Sequence, residues 1–431
     1  MRSCDKKRSP FTRGFCCFCL VLASHLVCGQ QVIQKLNWEG LKRHRVSYLN
    51  HFLTQDLGQS IDSIALAQDL QRLVNLPSVS QAQARIDSTE EGWNLTVSIE
   101  EAWTLFPIVN FGGIRDNIWG QVGATELNLL GGGIQATAYY LNNDRQHNGQ
   151  LYLRVPYLWG SRWGASLNLL QWGSIEPLYF EENPTFYIYQ NRTVGLSLIR
   201  ELDYQHWIEL GASYFVESYV KDARHLGEVT MGPDSARIPK ALYKLTHNLD
   251  RINYHFYALS GWQLRQYAQM ITYVPAQGRE NFYIYWADFL YFKTLGDRGN
   301  LASRFRAGLS VNQESPFAPF VLDSQVNIRG SGNRIDRGTA VLVWNLEYRH
   351  AIWDRNRFAA QLVAFSDAGT WREPGGELND LLSAETFQHF IGGGVRFIYK
   401  NAHNAMLRLD YGLDWRMPER RGIVIGVGQY F

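Results

Sequence analysis

The sequence predicts an all-β transmembrane barrel of 16 antiparallel strands, preceded by a small N-terminal α/β domain. Three observations carry this expectation. Aromatic residues make up 14% of the 431 positions, with 23 Tyr, 22 Phe and 14 Trp, and glycine reaches 38. Mean hydropathy is nonetheless slightly negative, at −0.26, and beyond the N-terminus no run approaches the roughly 20 apolar residues of a membrane helix. From Trp103 to Phe431 segment after segment alternates apolar with polar residues. A barrel strand is apolar on every second residue only, so it accumulates Tyr, Trp and Gly without any long apolar run.

The chain opens on a basic segment, "MRSCDKKRSPFTR", then an apolar one, "GFCCFCLVLASHLVC", then "VCGQQ", where Val27 and Gly29 stand at the cleavage positions. Residues 1–29 therefore read as a secretory signal peptide, to be set aside from the fold. A lipid anchor on Cys28 is the alternative. All five cysteines (Cys4, Cys16, Cys17, Cys19 and Cys28) lie in this segment. After a cut behind Gly29 the mature chain has none, which excludes disulfides and thiolate chemistry. With 42 basic and 40 acidic side chains the formal net charge is +2, no footprint for a nucleic-acid partner.

Residues 31–103 form the first predicted domain. "VIQKLNW" is a strand, and "HRVSYLNHFL" places Val46, Leu49, Phe52 and Leu53 at helical spacing. A second helix follows in "QSIDSIALAQDLQRLVNL", with Leu66, Leu70 and Leu73 on one face and Pro77 beyond its end. Two alternating strands, "VSQAQARID" and "WNLTVSIEE", are joined by "STEEG". About 70 residues is close to the lower limit for an independent core, so this domain is expected to lean on its neighbour.

Residues 104–431 form the predicted barrel. Its strands lie near 104–112, 119–129, 133–142, 149–157, 163–173, 185–199, 206–219, 241–249, 259–273, 282–293, 300–312, 338–350, 357–371, 387–400, 404–413 and 421–431. In "VLVWNLEYR" the residues Leu342, Trp344, Leu346 and Tyr348 share one face, with Asn345, Glu347 and Arg349 on the other. An even strand count lets the sheet close with both ends on one side. Short connectors (130–133, 158–164, 295–300) alternate with long ones (219–240, 313–337, 372–386), which assigns them to opposite ends.

The loop 313–337 contains "VNIRGSG", with Arg329 between Ile328 and Gly330. A wet lumen has room for such a loop. Gly330 permits a sharp turn, and Arg329 can then form a bidentate pair with an inward carboxylate. Strand parity supplies two, Glu347 and Asp367, the latter sharing a face with Phe365 and Gly369. On spacing alone, a solvated loop arginine remains the alternative. Arg396, Arg408 and Asp410 read as a lumen charge network. Pro107 in the first strand cannot donate a ladder bond, and the last strand carries Gly422, Gly426 and Gly428 on one face. The seam between them is the expected place for lateral opening and strand addition; ordinary irregularity of terminal strands is the alternative. Phe431, an aromatic at the seam, is assigned to recognition and insertion of this chain itself. The 11 histidines show no HExxH spacing, and no GxSxG is present. No enzyme activity, catalytic residue, metal or cofactor is expected, with a protease or lipase site on the loop tips as a minor rival.

"IRG", followed by "NLEYR" and "FSDAG", resembles the BamA/TamA outer-membrane assembly family. "GGGVRF" (392–397), "RLDYG" (408–412), the final "IGVGQYF", "VGATELNLLGGG" (122–133) and "HNLDRINYHFYALSGWQLR" (247–265) extend the resemblance across the mature chain. Residues 31–103 look like one POTRA domain. The resemblance implies a Gram-negative outer-membrane location with the POTRA domain in the periplasm, and a role in inserting or translocating polypeptides. It implies client outer-membrane or secreted polypeptides, the lipid bilayer and periplasmic or lipoprotein accessory subunits as partners. It also implies that Arg329 contacts Glu347 and Asp367. Two residues depart from the family pattern: Ile328 stands for the usual Val, and Ser331 for a large aromatic. A polypeptide export pore and a passive porin-like channel remain the rival functions.

Overall fold

The computed structural model describes residues 32–431 apart from 91, 115–116, 144–145, 180–183, 224–231, 256, 277–279, 312–317, 323–326, 333–336 and 402–404. The signal-peptide reading and all the cysteines lie outside the described residues.

The N-terminal module runs β1 (Ile33–Glu39), α1 (Val46–Leu49), α2 (Ser63–Val74), β2 (Val79–Thr89) and β3 (Gly92–Glu101). Its sheet has the order β1-β3-β2, with β3 parallel to β1 and antiparallel to β2. Helix α2 starts at Asp62, whose side chain accepts the N–H groups of Ile64 and Ala65, the ordinary way to satisfy orphan donors. The first predicted helix is shorter than its spacing suggests: four α residues pass into a 3-10 turn over 50–52. That is still enough to bury Leu49 and Phe52 with Ile33, Leu66, Leu73, Leu95 and Val97.

Sixteen strands follow: β4 (Leu105–Ile114), β5 (Asn117–Leu129), β6 (Ile134–Asn143), β7 (Gln146–Val155), β8 (Trp163–Tyr179), β9 (Pro184–Asp203), β10 (His206–Lys221), β11 (Ser235–His255), β12 (Ala258–Tyr273), β13 (Phe282–Leu295), β14 (Gly299–Val311), β17 (Ala340–Arg355), β18 (Phe358–Arg372), β19 (Gln388–Tyr399), β20 (Met406–Asp414) and β21 (Arg421–Val427). They form one sheet in sequence order, and among the described residues no ladder joins its two ends, β4 and β21. A two-residue ladder within the long loop, β15 (Phe320–Val321) with β16 (Arg337–Gly338), draws that loop together. Each predicted strand has its counterpart, most of them lengthened. The last is cut short at Val427, because Gly428 takes a φ of +84° and turns the chain off the ladder.

Parity separates the two faces of the sheet. Along β17, Trp344 and Tyr348 are exposed while Asn345, Glu347 and Arg349 are fully buried. The exposed side of a barrel strand meets lipid, and the buried polar side meets other protein groups.

The module sits on the end of the barrel that carries the short connectors. Arg45 N–H donates to Gly131 O at 2.9 Å, and Trp103 N–H to Asn401 O at 3.1 Å. Tyr157, from the connector after β7, stacks on His51 at 4.3 Å and packs against the module core. Asn75 Oδ1 accepts the Tyr254 N–H at 3.1 Å. The expectation that a small module leans on its neighbour therefore has a concrete form: a packed joint made of barrel turns.

Candidate functional site

The apex of the loop between β14 and β17 enters the barrel and meets the inner faces of β17, β18, β20 and β21. Ile328 is the anchor. It is 0% exposed, packed among Leu322, Val341, Val343 and Phe390. Gly369 makes the space for it, since a Cβ there would come within 2.9 Å of Ile328 Cδ1.

Arg329, also 0% exposed, forms a fork with Asp367: Nε donates to Oδ2 at 2.8 Å and Nη2 to Oδ1 at 3.0 Å. Its backbone N–H donates to the same carboxylate at 3.0 Å, and Nη1 donates to Glu347. The guanidinium lies 3.7 Å from the ring centre of Phe365 and 4.5 Å from that of Tyr430. Bidentate geometry and ring contact suit arginine and not lysine. Desolvating these ions costs several kcal/mol each, and only close pairing offsets it.

The apex turns at Gly330, φ +91°, where a Cβ would press within 2.6 Å of the Gly412 carbonyl oxygen. Gly412 and Gly422 are ladder partners on β20 and β21. A Cβ on Gly412 would reach Arg329 O at 2.4 Å, and one on Gly422 would reach Gly330 O at 3.0 Å. Loop backbone thus lies directly on strand backbone. Ser331 closes the turn by donating from Oγ to Ile328 O at 2.9 Å. The resemblance leads one to expect an aromatic at that position; here the rings beside Arg329 come from Phe365 and Tyr430.

A second tier holds the loop at Asn327. Its carbonyl accepts Asn345 Nδ2 at 2.7 Å and its Oδ1 accepts Arg306 Nη1 at 3.2 Å. Arg306 itself forks onto Asp288 at 2.6 and 2.8 Å. Beside Arg329, Arg396 forks onto Asp410 at 2.6 and 3.2 Å and comes within 3.5 Å of Glu347. Arg349 donates from Nε to Glu347. Arg408 lies over the Tyr430 ring at 4.9 Å and across Gly426, where a Cβ would meet its Nε at 2.7 Å.

The residues singled out from sequence thus fall into three sets. Arg329, Gly330, Glu347, Asp367 and Gly369 come together at the loop apex. Arg396, Asp410 and Arg408 adjoin them. Pro107 lies on β4, pairing with Ala124, and Gly422 and Gly426 lie on β21. At the seam, one correction concerns Phe431, assigned to the last strand: residues 429–431 leave the ladder, and the Phe431 ring packs inside beside Ile252, Leu259 and Phe292. The cause is the Gly428 turn together with guanidinium groups that attract aromatic faces. Gly422 and Gly426 also clear the space that the loop backbone and Arg408 occupy. Sequence reasoning missed Asn327, Asn345, Arg306, Phe365 as a ring support, and Tyr430. The one usable signal was parity, which places Asn345 beside Glu347 on the inward face.

Comparison with known proteins completes the picture. The Omp85 superfamily domain matches residues 128–431. Among solved structures, BamA from Haemophilus ducreyi lacking POTRA domains 1–3 aligns with a TM-score of 0.54 at 14% identity, covering 91% of this chain and 83% of that one. CdiB from Escherichia coli aligns with a TM-score of 0.59 at 13% identity, covering 92% and 75%. CdiB from Acinetobacter baumannii aligns with a TM-score of 0.51 at 13% identity, covering 93% and 74%. A search of curated protein sequences finds no match.

Proposed function

The chain belongs to the Omp85 superfamily, outer-membrane barrels that insert or translocate polypeptides, and we propose that it works through a seam coupled to the loop held by Arg329. The observation that supports this most directly is the seating of Gly330 on Gly412 and Gly422, one of them in the last strand. Anything that moves β21 away from β20 strips the loop of its seat. Conversely, a loop that lifts out frees the inner face of the seam strand. In this reading the work is conformational, no covalent bond is made or broken, and the edges of β4 and β21, which no ladder joins among the described residues, offer backbone donors and acceptors to an incoming strand.

In the same reading residues 31–103 are a POTRA domain on the periplasmic side, 104–431 the barrel, and 1–29 a signal peptide. The joint at Gly131, Tyr157 and Tyr254 would hold the module at the barrel mouth, where a client chain arrives. Accessory periplasmic or lipoprotein subunits would bind the module. A passive porin has no use for a module packed on its mouth. An export pore remains the second reading, favoured by a cavity of about 330 Å³ that lies between the module and the lumen. Depletion followed by quantification of the outer-membrane and secreted proteomes separates them. Broad loss of barrel proteins supports insertion, loss of one secreted protein supports export, and unchanged proteomes with altered small-solute uptake would overturn both.

A further inference from the structure

Residues 429–431 leave the sheet just where ladder bonds would be expected to continue. Gly428 N–H donates to Met406 O at 2.8 Å, and its φ of +84° sends the chain inward. Tyr430, only 7% exposed, sets its ring against Arg329, Arg408 and Arg304 at 4.5, 4.9 and 5.8 Å. The Phe431 ring lies 5.4 Å from the Arg304 guanidinium and 5.8 Å from that of Arg349, on an apolar bed of Ile252, Leu259, Phe292 and Ala302.

Two features mark this place as a receptor site and not just a resting place. Gln429 and Phe431 form part of the wall of the 330 Å³ cavity at the module joint, whose lining carries Arg265, Arg304, Arg306 and Lys400 against one carboxylate, Asp288. Behind the Phe431 ring, Arg349 is 0% exposed, and its Nη1 and Nη2 have no hydrogen-bond partner among the described residues. Buried donors left unmade are costly. An aromatic face attracts the charge but supplies no acceptor in the guanidinium plane. A carboxylate would.

We propose that the lumen site filled by residues 429–431 is a binding site for an aromatic, carboxylate-bearing segment of the client polypeptide, with the chain's own segment as its resident occupant. This rests on the reading that the barrel inserts or translocates client polypeptides. A client ring replaces Phe431 on the apolar bed, and a neighbouring carboxylate accepts from Nη1 and Nη2 of Arg349. Departure of Tyr430 then removes one of the rings that flank Arg329, so that client binding loosens the loop apex.

The test uses the purified full chain in detergent and a fluorescein-labelled, amidated peptide Gly-Asp-Gln-Tyr-Phe-Gly, with its Asp-to-Asn analogue as control, read by anisotropy. A resident occupant lowers apparent affinity by the fraction of sites it fills. The double substitution Tyr430→Ser, Phe431→Ser is therefore expected to tighten binding of both peptides about tenfold, with the acidic peptide the tighter of the two throughout. Adding Arg349→Gln should erase the difference between the peptides. Equal binding to wild type and double variant, or equal binding of both peptides to the double variant, would overturn the proposal. Folding is checked by the mobility of unheated samples. If the double variant does not fold, Phe431→Leu replaces it, with a smaller gain of the same sign expected and no gain counting against the site. Tail-dependent binding with unchanged proteomes on depletion would leave the site standing and remove translocation. The reverse pattern would remove the site alone.

Discussion

On one part of the inner wall, Lys240 of β11 reaches Glu217 of β10 at 2.5 Å, with the hydroxyls of Tyr189 and Tyr219 donating to the same carboxylate at 3.1 and 2.9 Å. On another, Arg329 reaches Glu347 and Asp367 from a loop that has travelled back into the barrel. Both clusters are buried and charged, yet they are held in different ways. The first needs only the β10–β11 and β9–β10 ladders, which set its members side by side. The second needs a hydrophobic anchor at Ile328, a clamp at Asn327 and two facing glycines. Cross-strand pairs are by-products of register, whereas a loop docked in a lumen must be given its own shape complement.

The comparison breaks most visibly at Arg329. Arg329→Ala leaves Glu347 and Asp367 buried with less charge to answer them, and removing one partner of a buried pair costs about 3–5 kcal/mol. A large drop in the urea midpoint of the folded barrel is expected, together with failed complementation. Arg329→Lys should recover little of it, because an ammonium cannot reproduce the fork. A variant that unfolds and complements like the wild type would end the idea of a loop lock.

Gly412→Ala tests the backbone seat alone, since no charge changes. The added methyl group meets Arg329 O at 2.4 Å, and overpacking of this kind costs about 1–3 kcal/mol. Enhanced cleavage of the loop by added protease, with the strands still intact, is the expected result; unchanged protection would show that the seat yields.

At the other cluster, Lys240→Met should cost about 1–3 kcal/mol, because Glu217 loses the cation of its ion pair while two tyrosine hydroxyls continue to serve it. Protection of the loop should not change. Combined with Gly412→Ala, the two effects should add, as separated sites do; a clear departure from additivity would mean that the walls are coupled.

The smallest effect is expected at the joint. Burial alone would raise the Glu101 carboxyl, but the backbone N–H groups of Arg43, Lys42 and His44 and the His44 side chain hold it down at about 2, from 4.5. A depressed pKa contributes stability that is present above about pH 4.5 and lost as pH falls towards about 2. Glu101→Gln should flatten that acid dependence of the thermal midpoint. An unchanged slope would assign the acid response to other groups.

Much of this architecture was legible beforehand, and the reasons are physical. Parity along "NLEYR" and "FSDAG" assigns Glu347 and Asp367 to the inner face, because side chains alternate strictly on a strand. The same rule assigns Arg396, Arg408 and Asp410. Parity says nothing about height, so it does not show that Asn327 meets Asn345 and Arg306 or that Phe365 lies under Arg329. The first helix was over-read because Val46, Leu49, Phe52 and Leu53 keep helical spacing through a 3-10 turn as well. The inward turn of residues 428–431 was invisible, since alternation in "GIVIGVGQYF" continues smoothly across Gly428. Its positive φ follows from what attracts Tyr430 and Phe431, and those arginines lie on distant strands.

The facing pair Gly412 and Gly422 also bears on how this protein can change over generations. A contact between side chains offers a graded series of substitutes, each slightly better or worse. Backbone laid on backbone offers few, for even a methyl group would meet Arg329 O at 2.4 Å from Gly412 and Gly330 O at 3.0 Å from Gly422. Variation at this seat is thus a matter of keeping or abandoning the lock, and any drift in its strength must be sought among the residues around it.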